Sequence, residues 1–294
     1  MLHFIFESTN VVAVVVGDEW CRIPKYVNKV KAIFKCLAIS PLLGCNPFLK
    51  PSYLNFMTLV QFGRIWLLRL PYLLKYLFSR IKALQSSTTK IAPIFAVPQG
   101  YGGGYLELPI KEIDERQYDI SFTGSLKHRS YPIWSLRHWL DNPKSLSRKA
   151  MISSIKLVEL KYPALRTELA TTSSFGANFH SDPERYCEIM MDTKICLVPR
   201  GTSWETLRFY EGLKYGCILI TEALPPHWFY ENAPIIQIAD WSELVIILPR
   251  LLENKALMRE KHQESLNWWI TKCSEAIVGE YMAEKLNSLA SISE

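Results

Sequence analysis

Between Trp20 and Leu106 the chain contains no aspartate or glutamate. The same stretch carries twelve lysines and arginines, so an overall charge of only +6 conceals a basic segment set against a net acidic remainder. Such a division points to two regions with different partners. The basic stretch is also rich in Leu, Phe, Tyr and Trp. That mixture suits an anionic membrane surface, or an acidic lipid-linked molecule, better than bare nucleic acid. No recognition-helix or RNA-binding motif accompanies the charge, so no nucleic-acid partner is expected.

Other shortages narrow the field further. The seven cysteines (Cys21, Cys36, Cys45, Cys187, Cys196, Cys217 and Cys273) include no CxxC pair, and their odd number argues against a disulfide framework. They are expected to be reduced and mostly buried as small hydrophobes. The six histidines (His3, His128, His138, His180, His227 and His262) show no HxxxH spacing, which argues against zinc. No Asp-x-Asp occurs, so the carboxylate pair that would hold a divalent cation is missing. Gly102-Gly103-Gly104 precedes no GK[ST] helix and is read as a flexible connection. The apolar N-terminus lacks a basic leader region and contains Glu7, so no secretory signal is read and a cytoplasmic location is expected, peripheral at a membrane surface.

No segment offers the roughly 18 clean apolar residues that a membrane span requires. The most hydrophobic one, Phe56 to Leu84, is interrupted by Arg64, Arg69, Pro71, Lys75 and Arg80. Beyond Pro71, Lys75, Ser79 and Lys82 share one helical face while Leu73, Tyr76, Leu77 and Leu84 crowd the other. That pattern fits either an interfacial helix or a helix packed on its own domain.

What is present is the raw material of a folded protein. With 49% hydrophobic and 21% charged residues over 294 positions, the chain has the composition of globular proteins and the length of roughly two domains. Val11 to Val16 is a continuous β-branched run ended by Gly17-Asp18, which predicts a strand buried on both faces; Ile91 to Val97 is a second. Mainly helical patterns lie between them. The first domain, 1–116, therefore contains a thin sheet and is abbreviated. From Gln117 strands and helices alternate: strand Tyr118 to Thr123, helices near Tyr131 to Leu140 and Ser145 to Tyr162, strand Leu165 to Thr172, helix Pro183 to Asp192, strand Ile195 to Val198, helix Ser203 to Tyr215 and strand Cys217 to Thr221. A last strand, Ile235 to Ala239, precedes three helices. The alternation predicts an α/β fold with a doubly wound parallel sheet over 117–294, with ligands at the carboxyl ends of its strands.

The chemistry concentrates in Lys194 to Ile220. Its loop, Pro199-Arg200-Gly201-Thr202-Ser203, places a cation, a glycine and hydroxyls where a strand meets a helix N-terminus, which favours anions. Arg208 and Glu211, three apart, share a helical face, so the guanidinium suits a diphosphate and the carboxylate a ribose hydroxyl. Thr206 adds a hydroxyl near the first turn. Trp228, Phe229 and Tyr230 fit a pocket lining or packing beneath a loop equally well.

Three elements of this stretch, Pro199-Arg200-Gly201, Thr206-x-Arg208-x-x-Glu211 and Gly216-Cys217-Ile218, resemble the signature of exostosin-type glycosyltransferases. Thr206 stands where that family has serine. Asp240-Trp241-Ser242, and upstream Asp119 to Gly124 with Arg129, extend the resemblance across about 117 to 290. It implies a GT-B-like architecture of two Rossmann-like lobes, with a nucleotide-sugar donor in the C-terminal lobe and a glycan or lipid-linked acceptor on the N-terminal one. Gly124, Arg129, Arg200, Gly201, Thr206, Arg208 and Glu211 are then the donor-binding residues, and no metal or cofactor beyond the co-substrate is implied. Arg129, Arg200 and Arg208 would neutralise the leaving diphosphate. For an inverting transfer the base is Asp18 or Glu19, which follow the first strand. The alternative is a catalytically inactive relative that binds or scaffolds.

Overall fold

The computed structural model describes residues 11–85, 91–102, 106–126, 134, 143–172 and 182–291. Within them the strands form two wholly parallel sheets. The first contains β1 (Val12–Val15), β2 (Ala32–Lys35) and β3 (Ile94–Ala96), in that order. The 33-residue helix α1 (Tyr53–Gln85) connects β2 to β3.

β2 is the strand that sequence patterning missed. It is central and entirely buried, yet its Lys31/Lys35 spacing imitates a helical turn. Lys35 sits inside because its ammonium finds three acceptors: Asp18 Oδ2 at 2.9 Å, Arg22 O at 3.0 Å and Ala38 O at 2.9 Å. A buried charge is tolerated only when paired in this way. β1, by contrast, is not buried on both faces. It forms the sheet's edge among the described residues, and Val14 remains 54% exposed. Ile33, Ala13 and Val15 pack on one face with Tyr72, Leu73 and Tyr76 of α1.

The second sheet contains β4 (Tyr118–Ser125), β5 (Thr167–Thr172), β6 (Thr193–Val198), β7 (Ile218–Thr221) and β8 (Ile236–Gln237), ordered β5-β4-β6-β7-β8. Parallel strands require crossovers, which α2 (Pro143–Lys161), α3 (Pro183–Met191) and α4 (Leu207–Lys214) supply. Helices lie on both faces. Met151, Ile155 and Val158 of α2 pack on Ile120, Phe122, Ile195 and Ile218 together with α5 (Leu244–Glu253). On the other face α3 and α4 bury Cys187, Met190, Phe209 and Leu213 against Cys196 and Leu219. The doubly wound expectation is met, and the chain is α/β throughout. The expected helix near Tyr131 to Leu140 lies outside the described residues.

After α6 (Lys255–Trp268) a π-turn at Trp269–Cys273 redirects the chain into α7 (Glu275–Ser291). This helix returns to the first sheet, where Val278, Tyr281, Met282, Leu286 and Leu289 pack on Phe34, Phe95 and Val97. All seven cysteines are free, and all but Cys45 are buried. Among the described residues no helix is long and apolar enough to cross a membrane.

Helix α4 ends in a tight glycine-dependent cap that sets the entry into β7. Gly216 has φ +70°, Cys217 N donates to Gly212 O, and Gly216 N donates to Leu213 O, which is a Schellman pattern. A Cβ at Gly216 would lie 2.7 Å from the His262 ring, whose Nδ1 is 2.7 Å from Gly216 O. Gly216→Ala therefore combines left-handed strain with overpacking. It should destabilise by about 2 kcal/mol or more, visible as a melting temperature lowered by roughly 4 to 8 °C.

Candidate functional site

Counting only the second sheet, the order runs second, first, third, fourth, fifth, so the winding reverses between β4 and β6. Ligands of such sheets bind outside the carboxyl ends of the strands at that reversal. The residues there are Thr123, Gly124 and Ser125 of β4, with Pro199 and Arg200 following β6. A cavity of about 260 Å³ lined by Asp119, Tyr162, Lys194 and Glu253 lies at the opposite, amino-terminal end. That is the wrong end for this chemistry.

Three cations meet at the carboxyl end of β4. Arg208, one residue into α4, donates to Thr123 O, and Arg148 of α2 donates to Ser125 O. Both guanidinium groups lie over the Phe122 ring, at 4.7 and 5.5 Å from its centroid. Gly124 makes room for them, since a Cβ there would lie 2.7 Å from Arg208 Nη2 and 3.6 Å from Arg148 Nη1. Lys144 stands one turn before Arg148, and all three side chains are buried. Desolvation, then repulsion within the cluster, depresses two of them. Lys144 is lowered to about 8 by burial and by the charges of Arg148 and Arg208, with Glu19 opposing. Arg148 is lowered to about 9 by burial and by Arg208, with Glu222 and Glu19 opposing. Polar atoms without partners accompany the charges: Arg148 Nε, Arg208 Nε, Thr123 Oγ1 and Ser125 Oγ. Buried polar atoms rarely lack partners, so four at one strand end make it the candidate binding place.

Lys144 and Arg148 were not singled out from sequence, though a signal existed. The first turns of α2 contain cations and no acid, the reverse of what a helix dipole favours.

The other expected donor residues are distributed differently. α4 begins at Leu207, four residues later than expected, so Arg200 and Gly201 do not sit at its start. Arg200 is instead bound within the protein. Its Nε and Nη2 each lie 3.0 Å from Glu222 Oε1, its Nη1 donates to Thr58 Oγ1 at 2.9 Å, and its guanidinium stacks 4.0 Å over Trp204. At Gly201 a Cβ would meet nothing nearer than 3.6 Å. Thr206 is the N-cap residue, but its hydroxyl makes no cap bond and has no partner. Glu211 accepts from the Tyr186 hydroxyl and, at 3.2 Å, from Gly102 N. Burial raises its pKa, opposed by the Tyr186 bond, the Arg208 charge and the Gly102 N–H. Arg129 and His128 lie outside the described residues. Phe229 and Tyr230 are core, and Trp228 packs on Tyr281 while donating to Ala96 O. The aromatic trio is therefore packing.

Asp18 and Glu19 separate clearly. Burial would raise the Asp18 carboxyl, but the bond and charge of Lys35, then Arg22 and the Trp20 N–H, hold it below the usual range. It is a structural counter-ion. Glu19 lines the crevice between the lobes with Ala38, Thr58, Arg200 and Trp204, and its charge reaches Lys144 and Arg148. The crevice holds only about 30 Å³.

No protein-family model matches the chain, so the exostosin resemblance rests on the quoted motifs. No curated protein matches it either. Among solved structures it is similar to one of a GtfA/B complex, at 11% identity and a TM-score of 0.42, covering 89% of this chain and 53% of that one. It is also similar to the Glycosylation Associate Protein (Gap123) complex from Streptococcus agalactiae, at 13% identity and a TM-score of 0.41, covering 95% of this chain and 54% of that one. The chain thus spans about half the length of each.

Several hydrogen bonds close the crevice. Glu205 Oε2 accepts from Ala38 N at 2.6 Å, Trp204 Nε1 donates to Leu42 O at 2.8 Å, and Gln61 Nε2 donates to Thr202 O at 2.9 Å. Burial raises Glu205 to about 7, outweighing bonds from the Ala38 N–H and Tyr230 hydroxyl and the Lys35 charge. Because the folded state binds this proton more tightly than the unfolded one, the stabilisation is full below about 4.5 and is lost as pH rises through about 7. Glu205→Gln, which is neutral at every pH, should melt like the native protein near pH 4.5 and increasingly above it toward pH 8. Melting curves across that window check the difference.

Proposed function

We propose that the chain is a glycosyltransferase that moves a sugar from a nucleotide-sugar donor to a glycan or lipid-linked acceptor. The observation that carries this reading is the convergence of Lys144, Arg148 and Arg208, with unpartnered hydroxyls, at the reversal point of a doubly wound sheet. Cations that repel one another in a desolvated place are relieved by an anion of high charge density, and a diphosphate is such an anion. In this reading the division of labour follows 1–116 for the acceptor and 117–294 for the donor, with α7 bracing the acceptor side.

Transfer requires the bond between the sugar and the diphosphate to break as negative charge grows on the departing oxygen. The three cations would stabilise that charge without a metal, a contribution of about 2.7 to 4 kcal/mol per donor in comparable electrostatic sites. Glu19 is proposed as the base that takes the acceptor hydroxyl's proton, since Asp18 is committed to Lys35 and Arg22. Attack from the face opposite the leaving group would invert the anomeric centre. Arg200 is then a strut between the lobes, and Glu211 either reaches the ribose or anchors the Gly102 loop.

A second reading, a binding subunit without turnover, is favoured by the hydrogen bonds that tie Ala38, Leu42 and Gln61 to 202–205 across the crevice. Hydrolysis of the donor in the absence of acceptor separates the two, because a transferase leaks to water and a scaffold does not.

Uridine and guanosine diphosphate should bind, and Arg148→Ala or Arg208→Ala should each weaken affinity by about 1.5 to 3 kcal/mol. Glu19→Gln should retain that affinity and lose transfer. Binding needs the protonated Lys144, so affinity should stay level below about pH 8 and decline above it. Calorimetry on the folded variants reads all three, and undiminished affinity in both arginine variants would defeat the assignment.

A further inference from the structure

Helix α1 buries one side and leaves the other open along its whole length. Met57, Thr58 and Ile65 are buried, and Tyr72, Leu73 and Tyr76 pack on the first sheet. On the outer side Phe56, Val60, Leu67, Leu70, Leu74 and Ile81 follow at steps of three, four or seven, each at least 41% exposed. These steps keep them in one stripe, which runs about 38 Å of the helix's roughly 50 Å length. Phe48 and Leu49, exposed in the loop just before the helix, extend the same apolar end. A run of large exposed apolar residues along one helix face is the kind of surface that marks an interaction site. The sequence-level alternative of a helix simply packed on its own domain accounts for the inner side only.

The margins identify the occupant. Arg64, Lys75, Arg80 and Lys82 are exposed beside the stripe, and no acid interrupts the chain from Trp20 to Leu106. A second copy of this helix would bring cation against cation. An anionic bilayer presents what the face lacks, with headgroup charge for the margins and acyl chains for the stripe. We propose that α1 lies flat in the headgroup region of an anionic phospholipid membrane, apolar stripe inward. The helix does not cross: it is broken by charge and covered on its inner side by its own lobe. This attachment is independent of the catalytic reading, since none of its residues belongs to the cation cluster at β4.

The test uses the full chain and vesicles of phosphatidylcholine with or without phosphatidylglycerol, read by co-sedimentation. Binding should require the anionic lipid and fall steeply as salt is raised to about 0.5 M. Lys75→Ala and Lys82→Ala should each reduce partitioning about fivefold, and Leu67→Gln and Leu74→Gln about tenfold or more each. These positions are exposed, so melting temperature and nucleotide affinity should not move. Equal sedimentation with neutral vesicles overturns the proposal, as does no sedimentation with either. A concentration-dependent dimer, measured by light scattering and abolished by Leu74→Gln, also overturns it by making the stripe a helix-pairing seam.

Discussion

A guanidinium at the end of β6 and a carboxylate at the end of β7 hold the molecule's centre together. Arg200 and Glu222 are both buried and joined by side-chain and backbone contacts, so each satisfies a charge that would otherwise be stranded. The pair is also a junction. Glu222 accepts from Ser147 on α2, which in turn accepts from Trp241 Nε1, while Arg200 reaches Thr58 on α1. Two strands, the helix that follows β4 and the long helix of the other lobe are therefore referred to one ionic contact. The position of Arg148, a residue beyond Ser147, follows from it.

Beside that pair stands a group of like charges a few residues away. Buried charge is held in two ways: Lys35 is satisfied by Asp18 and two carbonyls, whereas Lys144, Arg148 and Arg208 crowd together, and burial with repulsion from neighbouring cations lowers Lys144 and Arg148. A fold can tolerate the second arrangement only by spending stability supplied elsewhere, here by two cores of interleaved Ile, Leu, Phe and Met on the faces of one sheet. That contrast separates the structural ions from those proposed to bind the donor better than residue type does, because both groups are made of the same side chains.

The second sheet was legible in the sequence because β6 and β7 carry apolar runs, its strands alternate with helical patterns, and turns separate them. The first was half legible. β2 escaped because a buried lysine made it look amphipathic, and its partner Asp18 is seventeen positions away. The motif around Arg208 led to the strand end where Arg148 and Lys144 also lie, but its spacing could not show that Arg200 pairs with an acid, since tripeptide spacing says nothing about which acid a guanidinium will meet. Glu222 is that acid, and only the parallel pairing of β6 with β7 brings it close. Lys144 and Arg148 come from a different crossover, so no local pattern could join them to Arg208.

The return of α7 to the first sheet has a consequence for the order of assembly. Its five apolar contacts with β2 and β3 come from residues 278–289, synthesised after every strand of the second sheet. Phe34 and Phe95 on that face must therefore wait, uncovered on a growing chain, while more than 240 residues follow the first and more than 180 the second. The ribosome thus delivers an open apolar face early and its cover last, and a stalled or shortened chain exposes a sticky, half-dressed sheet to chaperones and proteases.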